Sequence, residues 1–217
     1  NDHIPLFSFR CFVGKRHLEE AMKVFSNDLS FVVTWKPFFL NPTTPEAGIP
    51  LIQYLTQKYG PRAGAMAKDG TSPLTKAGLN VGINFTTDRL IVNTLKSHCM
   101  LDYAKSEGKQ NLLAENLFKI YFEQGKNINS TDVLAQVAVD TGLNIDAMEK
   151  HLKDKSVVSR VQEEAMEAHD EGVHGVPFFN IHLKGESQKI AGFSGAQPPE
   201  TFKSIFQQLL NRFKASV

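Results

Sequence analysis

Ser8-Phe9-Arg10-Cys11-Phe12-Val13-Gly14-Lys15-Arg16 is the stretch on which the reading of this chain turns. A serine stands three residues ahead of a cysteine, and the cysteine opens a segment in which Leu18, Ala21, Met22 and Phe25 recur at i, i+3, i+4 and i+7. That recurrence is the period of an amphipathic helix. A thiol at a helix N-terminus meets backbone N–H groups and the positive end of the dipole, which favour its thiolate. Arg10, Lys15 and Arg16 add positive charge nearby. The alternative is a small apolar side chain buried in the first turn. In a C-x-x-C helix the first position is exposed and the second shielded; Cys11 holds the second, and Ser8 holds the exposed one. The Ser8 hydroxyl suits an N-cap, and it also suits donation to a thiolate brought by a ligand.

Working outward, Ile4-Pro5-Leu6-Phe7 reads as a short first strand confined by Pro5 to an edge or a strand start. After the helix, Leu29-Ser30-Phe31-Val32-Val33-Thr34-Trp35 is β-branched, aromatic and nearly all apolar, which predicts a strand buried on both faces. A Pro-rich loop follows, and then a long helical block. Helices are predicted over 51–59, 73–83, 90–107, 112–122, 133–141 and 145–153, with a connecting helix over 157–170. Gly60-Pro61, Gly108, Gly125 and Gly142 fall between them as stops. Strand pattern returns with the alternation Phe179, Ile181, Leu183 and again over 188–193. The stripe Phe202, Ile205, Phe206, Leu209, Leu210 and Phe213 closes the chain with a core-facing helix. The order β-α-β, helices, β-β-α predicts an α/β domain split between 1–50 and 157–217, with an all-helical domain, 51–156, inserted in it.

The totals exclude several classes. Lys+Arg 24 against Asp+Glu 23 leaves a formal charge of +1, so nothing favours nucleic acid or an anionic membrane as a partner. No apolar run approaches the ~20 residues of a membrane span. Two cysteines, Cys11 and Cys99, make no disulfide framework, and the expectation is a reducing, cytoplasmic compartment. The histidines show no metal-ligand spacing: His169 and His174 lie five apart across a glycine, and His98 adjoins Cys99.

A second motif is Val173-His174-Gly175-Val176-Pro177-Phe178-Phe179. A proline between a glycine turn and a strand start predicts a fixed, cis peptide. It would leave the Val176 N–H and C=O turned outward, to pair with an extended peptide or a thiol ligand. An ordinary proline opening an edge strand is the other reading.

Taken together, these segments resemble the DsbA-like thioredoxin superfamily, and most closely its FrnE-like branch. The resemblance rests on Cys11-Phe12-Val13-Gly14-Lys15-Arg16, on Trp35-Lys36-Pro37-Phe38 with Leu40-Asn41-Pro42, and on Asn93-Thr94 with His98. Tyr121-Phe122, the segment around Pro177, and Phe193-Ser194-Gly195-Ala196-Gln197-Pro198-Pro199-Glu200 complete it. It implies a thioredoxin-like fold with an inserted helical domain, a cis-proline at Pro177 beside the active site, and thiol-disulfide oxidoreductase chemistry on a thiol or disulfide substrate. Family members carry C-P-W-C; here Ser8 replaces the first cysteine and Phe9-Arg10 the central pair, so two-cysteine exchange cannot run as written. Three readings stay open: monothiol chemistry at Cys11, a glutathione-dependent transferase or isomerase using Ser8, and a non-catalytic peptide-binding module. The serine has a parallel in kappa-class glutathione transferases and 2-hydroxychromene-2-carboxylate isomerases of the same superfamily. On this resemblance Cys11 and Ser8 are the candidate catalytic residues, and Arg10, His98, Val176 and Pro177 the candidate substrate-binding ones. No tightly bound cofactor is implied beyond glutathione, and the oligomeric state is left open, a homodimer included.

Overall fold

The structure is a computed structural model that describes residues 8–39, 44–45, 47–184 and 189–215, with side chains to residue 212. In chain order the elements are α1 (Phe9–Val24), β1 (Ile49–Pro50), α2 (Leu51–Tyr59), α3 (Pro61–Lys68), α4 (Pro73–Leu79), β2 (Leu90–Ile91) and α5 (Leu95–Ser106). Then come α6 (Gln110–Phe118) with a π-helical turn, Lys119–Glu123, α7 (Thr131–Thr141), α8 (Ile145–Lys153), α9 (Lys155–Asp170), β3 (Phe178–His182), β4 (Lys189–Ser194) and α10 (Pro199–Ala215). The chain divides into two compact units. One brings the residues up to Val33 together with those from Val173 onward, and the other runs Thr34–Gly172.

In the first unit β3 and β4 form an antiparallel hairpin, with Phe178 opposite Ser194 and Phe179 opposite Phe193. The apolar stripes of α1 and α10 meet in a core of Ala21, Phe25, Phe202, Phe206 and Leu210, against which Leu18, Phe31, Phe179, Ile181 and Phe193 pack. The Phe202 ring stands edge-on to Phe179 at 4.9 Å and to Phe193 at 5.2 Å between centroids. Such aromatic pairs add to the gain from burial alone.

The segment 29–35 departs from expectation. It has no ladder among the described residues, and its burial alternates: Leu29, Phe31, Val33 and Trp35 are partly buried, whereas Val32 is 80% exposed. It is extended backbone covered on one face, not a strand covered on both. A run of apolar β-formers fits either environment, and only its neighbours in space decide between them. The first strand expected at 4–7 lies outside the described residues.

The second unit is helical. α5 packs on α6, α8 and α9, and the short strands β1 and β2 pair antiparallel, Ile49 with Ile91 and Pro50 with Leu90. Leu90 and Ile91 therefore belong to a ladder, and the helix expected from residue 90 starts at Leu95, whose N–H donates to Asn93 Oδ1 at 2.9 Å. α3 was not expected at all. Its Pro61 reads as a breaker, yet proline at the first helical position costs nothing because that N–H has no partner anyway. The boundaries drawn from the sequence, 50/51 and 156/157, fall inside this unit. Two groups of bonds account for that. Gln110 brackets Trp35, accepting its N–H and donating to its C=O, both at 2.9 Å. Asp102 on α5 accepts from Arg160 of α9 at 2.6 and 2.8 Å and is 2.8 Å from His151 Nε2 of α8.

Candidate functional site

Ser8 is the N-cap of α1. Its backbone is extended (φ −92°, ψ 140°), its Oγ accepts from the Arg10 N–H at 3.1 Å, and its C=O accepts from the Cys11 N–H at 2.8 Å. Capping uses a lone pair of Oγ and leaves the O–H as a donor. The position expected to be exposed is in fact covered, with Ser8 2% exposed. Accessibility at a helix start depends on what the chain lays over it, which spacing does not encode. Cys11 is 1% exposed, and burial pushes its thiol far above the ordinary cysteine range, against the smaller lowering effect of its hydrogen bond with the Ser8 backbone. Desolvation outweighs the helix-terminus stabilisation of a thiolate here. Cys11 and Cys99 are both buried thiols. Burial, with the Asp102 charge second, pushes Cys99 in α5 up to about 11.

The opposite wall comes from the start of β3. The Val176–Pro177 peptide is cis, and both residues are buried. Among the described residues neither the N–H nor the C=O of Val176 makes a hydrogen bond. Gly14 explains how α1 comes so near: a Cβ there would stand 3.1 Å from both Pro177 Cγ and Phe179 Cζ, inside ordinary contact. Cys11 lies one turn back from Gly14 on the same helix face. Gly14 thus lets α1, the helix that Ser8 caps and Cys11 belongs to, run beside Pro177. Arg10 points its side chain to solvent. Sequence reasoning passed over Gly14; its signal is a glycine in mid-helix, three residues after the cysteine, where helix propensity disfavours it.

Lys15 is also buried on α1, 3% exposed, and its ammonium pairs with Glu19, which Arg16 contacts at 2.9 Å. His98 lies in the second unit, buried in α5. Its Nδ1–H donates to the Thr94 C=O at 2.6 Å, and the Phe39 ring stands 4.7 Å away between centroids. Burial holds His98 down to about 4, so the ring is neutral near pH 7. With Trp35, Pro37, Leu101 and Val161 it lines a shallow cleft. No group of three or more metal-ligating side chains occurs among the described residues, nor does any helix long and apolar enough to cross a membrane.

A family model described as a DSBA-like thioredoxin domain matches residues 7–207. The chain belongs to that family. It is an α/β protein with the thioredoxin-like fold and an inserted helical region. A crystal structure of a probable DsbA oxidoreductase from Streptomyces coelicolor is 28% identical and superposes with a TM-score of 0.80, covering 94% of this chain and 86% of the other. The uncharacterized protein YwbO of Bacillus subtilis (strain 168) is 26% identical over 172 residues, 79% of this chain and 80% of its own length. A 2-hydroxychromene-2-carboxylate isomerase shares the fold at 13% identity, with a TM-score of 0.68, over 99% of this chain and 97% of the isomerase. The family's chemistry concerns thiols and disulfides in general.

Proposed function

We propose that this DsbA-like protein binds a thiol-bearing ligand, glutathione or a cysteine-containing peptide, at the end of the first unit and does not exchange disulfides through a cysteine pair. The open backbone of Val176 carries this reading. Among the described residues the Val176 N–H and C=O beside Pro177 make no hydrogen bond, and such groups suit an extended peptide, which would pair with both as an added strand does. The ligand sulfur would meet the Ser8 O–H and the N-terminus of α1, which together favour a thiolate there. The exposed Arg10 guanidinium suits a ligand carboxylate. Cys11, buried and protonated at neutral pH, supports the helix start and does not attack.

The test is calorimetric titration of reduced glutathione into wild type, Ser8→Ala and Cys11→Ala, with intact mass spectrometry after exposure to oxidised glutathione. Binding should weaken about 10- to 100-fold in Ser8→Ala, the range of a hydrogen bond to a charged group, and persist in Cys11→Ala. Wild type should carry no glutathione adduct. Absence of binding at millimolar glutathione would remove the proposal. An adduct on Cys11 of the folded protein would replace it with monothiol exchange.

A further inference from the structure

Pro177 has no N–H, so its C=O is its single main-chain hydrogen-bonding group. That oxygen accepts from the Gly195 N–H at 2.8 Å. The bond extends the β3–β4 ladder by one rung: Phe178 is opposite Ser194, and Gly195 follows Ser194 just as Pro177 precedes Phe178. Gly195 adopts φ +86°, a conformation that disfavours other residues. The turn after β4 is closed on itself by two further bonds, Gln197 N–H to Gly195 C=O at 2.8 Å and Gln197 Nε2 to Ser194 C=O at 2.9 Å.

The turn is in turn held by α1. His17 Nδ1 lies 2.8 Å from the Gln197 C=O. A carbonyl only accepts, so Nδ1 carries the proton and donates. His17 is one turn beyond Gly14, where a Cβ would crowd Pro177 and Phe179, and so belongs to the same face of the helix. The helix that Ser8 caps therefore approaches Pro177 twice, closely at Gly14 and through the chain His17, Gln197, Gly195.

We propose that His17 is a positioning residue: through the 194–197 turn it holds the Pro177 backbone at a fixed distance from α1, and so sets the width of the space between Ser8 and Val176. The consequence for ligands rests on the thiol-binding reading above, whereas the clamp itself does not. His17 acts on the site through Gln197 and Gly195, without touching a ligand.

The experiment measures hydrogen exchange of the Gly195 amide by NMR, and reduced glutathione binding by calorimetry, in wild type, His17→Phe, His17→Gln and Ser8→Ala. His17→Phe should speed Gly195 exchange at least about tenfold and weaken glutathione binding about tenfold, the scale of one lost hydrogen bond. Amides in the middle of α10 should keep their wild-type exchange, which a general loss of stability would not allow. His17→Gln, with a side-chain N–H to donate, should return both readouts toward wild type. Ser8→Ala should weaken binding and leave Gly195 exchange alone. His17→Ala, which removes the same donor without adding a ring, supplies the same readout in the same direction if His17→Phe fails to fold. Unchanged Gly195 exchange in His17→Phe overturns the clamp, as does failure of His17→Gln to restore it. Faster Gly195 exchange in a protein that never binds glutathione upholds the clamp and removes the ligand reading instead.

Discussion

The two units differ in what their buried polar groups do. In the second, buried polar side chains are turned onto backbone of the same unit: Ser97 Oγ donates to the Ile128 C=O at 2.7 Å, Thr141 Oγ1 to the Val137 C=O at 2.7 Å, and Gln110 brackets Trp35. The core of the first unit is built from rings and aliphatic chains, and its buried polar side chains are Ser8, which caps α1, and Lys15, which pairs with Glu19, among the described residues. In that arrangement a polar side chain in the second unit is a stitch. In the first unit the Ser8 O–H and, among the described residues, the Val176 peptide groups are not used in this way. Residue type alone does not separate the two uses, since His98 and Ser8 are both buried and polar.

The largest test of this contrast is Phe202→Ala. Phe202 is fully buried between Phe179 and Phe193, and its loss should cost about 3–5 kcal/mol in urea denaturation. A cost below about 1 kcal/mol would mean that the aromatic core is not what holds the first unit.

In the second unit the acid response of His98 comes next. Its proton affinity is lowered on folding, from the ordinary value of 6.5 to about 4, so the unfolded chain binds the proton more readily. Stability is therefore full above pH 6.5 and falls as pH drops toward about 4, by about 3 kcal/mol over the window. His98→Gln should flatten that part of the profile in urea midpoints taken at successive pH values. A wild-type profile already flat between these limits would contradict the burial of a neutral ring.

Gln110→Ala should have the smallest effect, about 1–3 kcal/mol, because it leaves a peptide N–H and C=O of Trp35 without partners. Trp35 is the single tryptophan, so its fluorescence reports the site directly, and a shifted emission maximum is expected. Unaltered emission and stability would show that the bracket is not a stitch.

Much of the fold is legible in the chain. The stripes through Leu18–Phe25 and Phe202–Leu210, the glycine stops and the alternation after Pro177 place α1, α10 and the hairpin near where they lie. Ser8 and Pro177 could be picked out as a pair because their signals, an N-cap type before a helix and a proline at a strand start, are local. The state of the site was not legible. Whether Cys11 is a thiolate or a protonated thiol depends on what covers the helix start. The covering of 29–35 on one face, and the pairing of Leu90-Ile91 with Ile49-Pro50, likewise depend on residues distant in sequence.

The sequence by itself determined the family, the helical stripes of α1 and α10, the strand after Pro177 and a serine three residues before Cys11, because periodicity, turn residues and residue identity are properties of neighbours along the chain. Only the tertiary structure decided that Cys11 is sealed, that Gly14 lets α1 approach Pro177, and that His17 reaches the Gln197 carbonyl. Burial, desolvation and hydrogen bonds between distant segments exist only once the chain is folded.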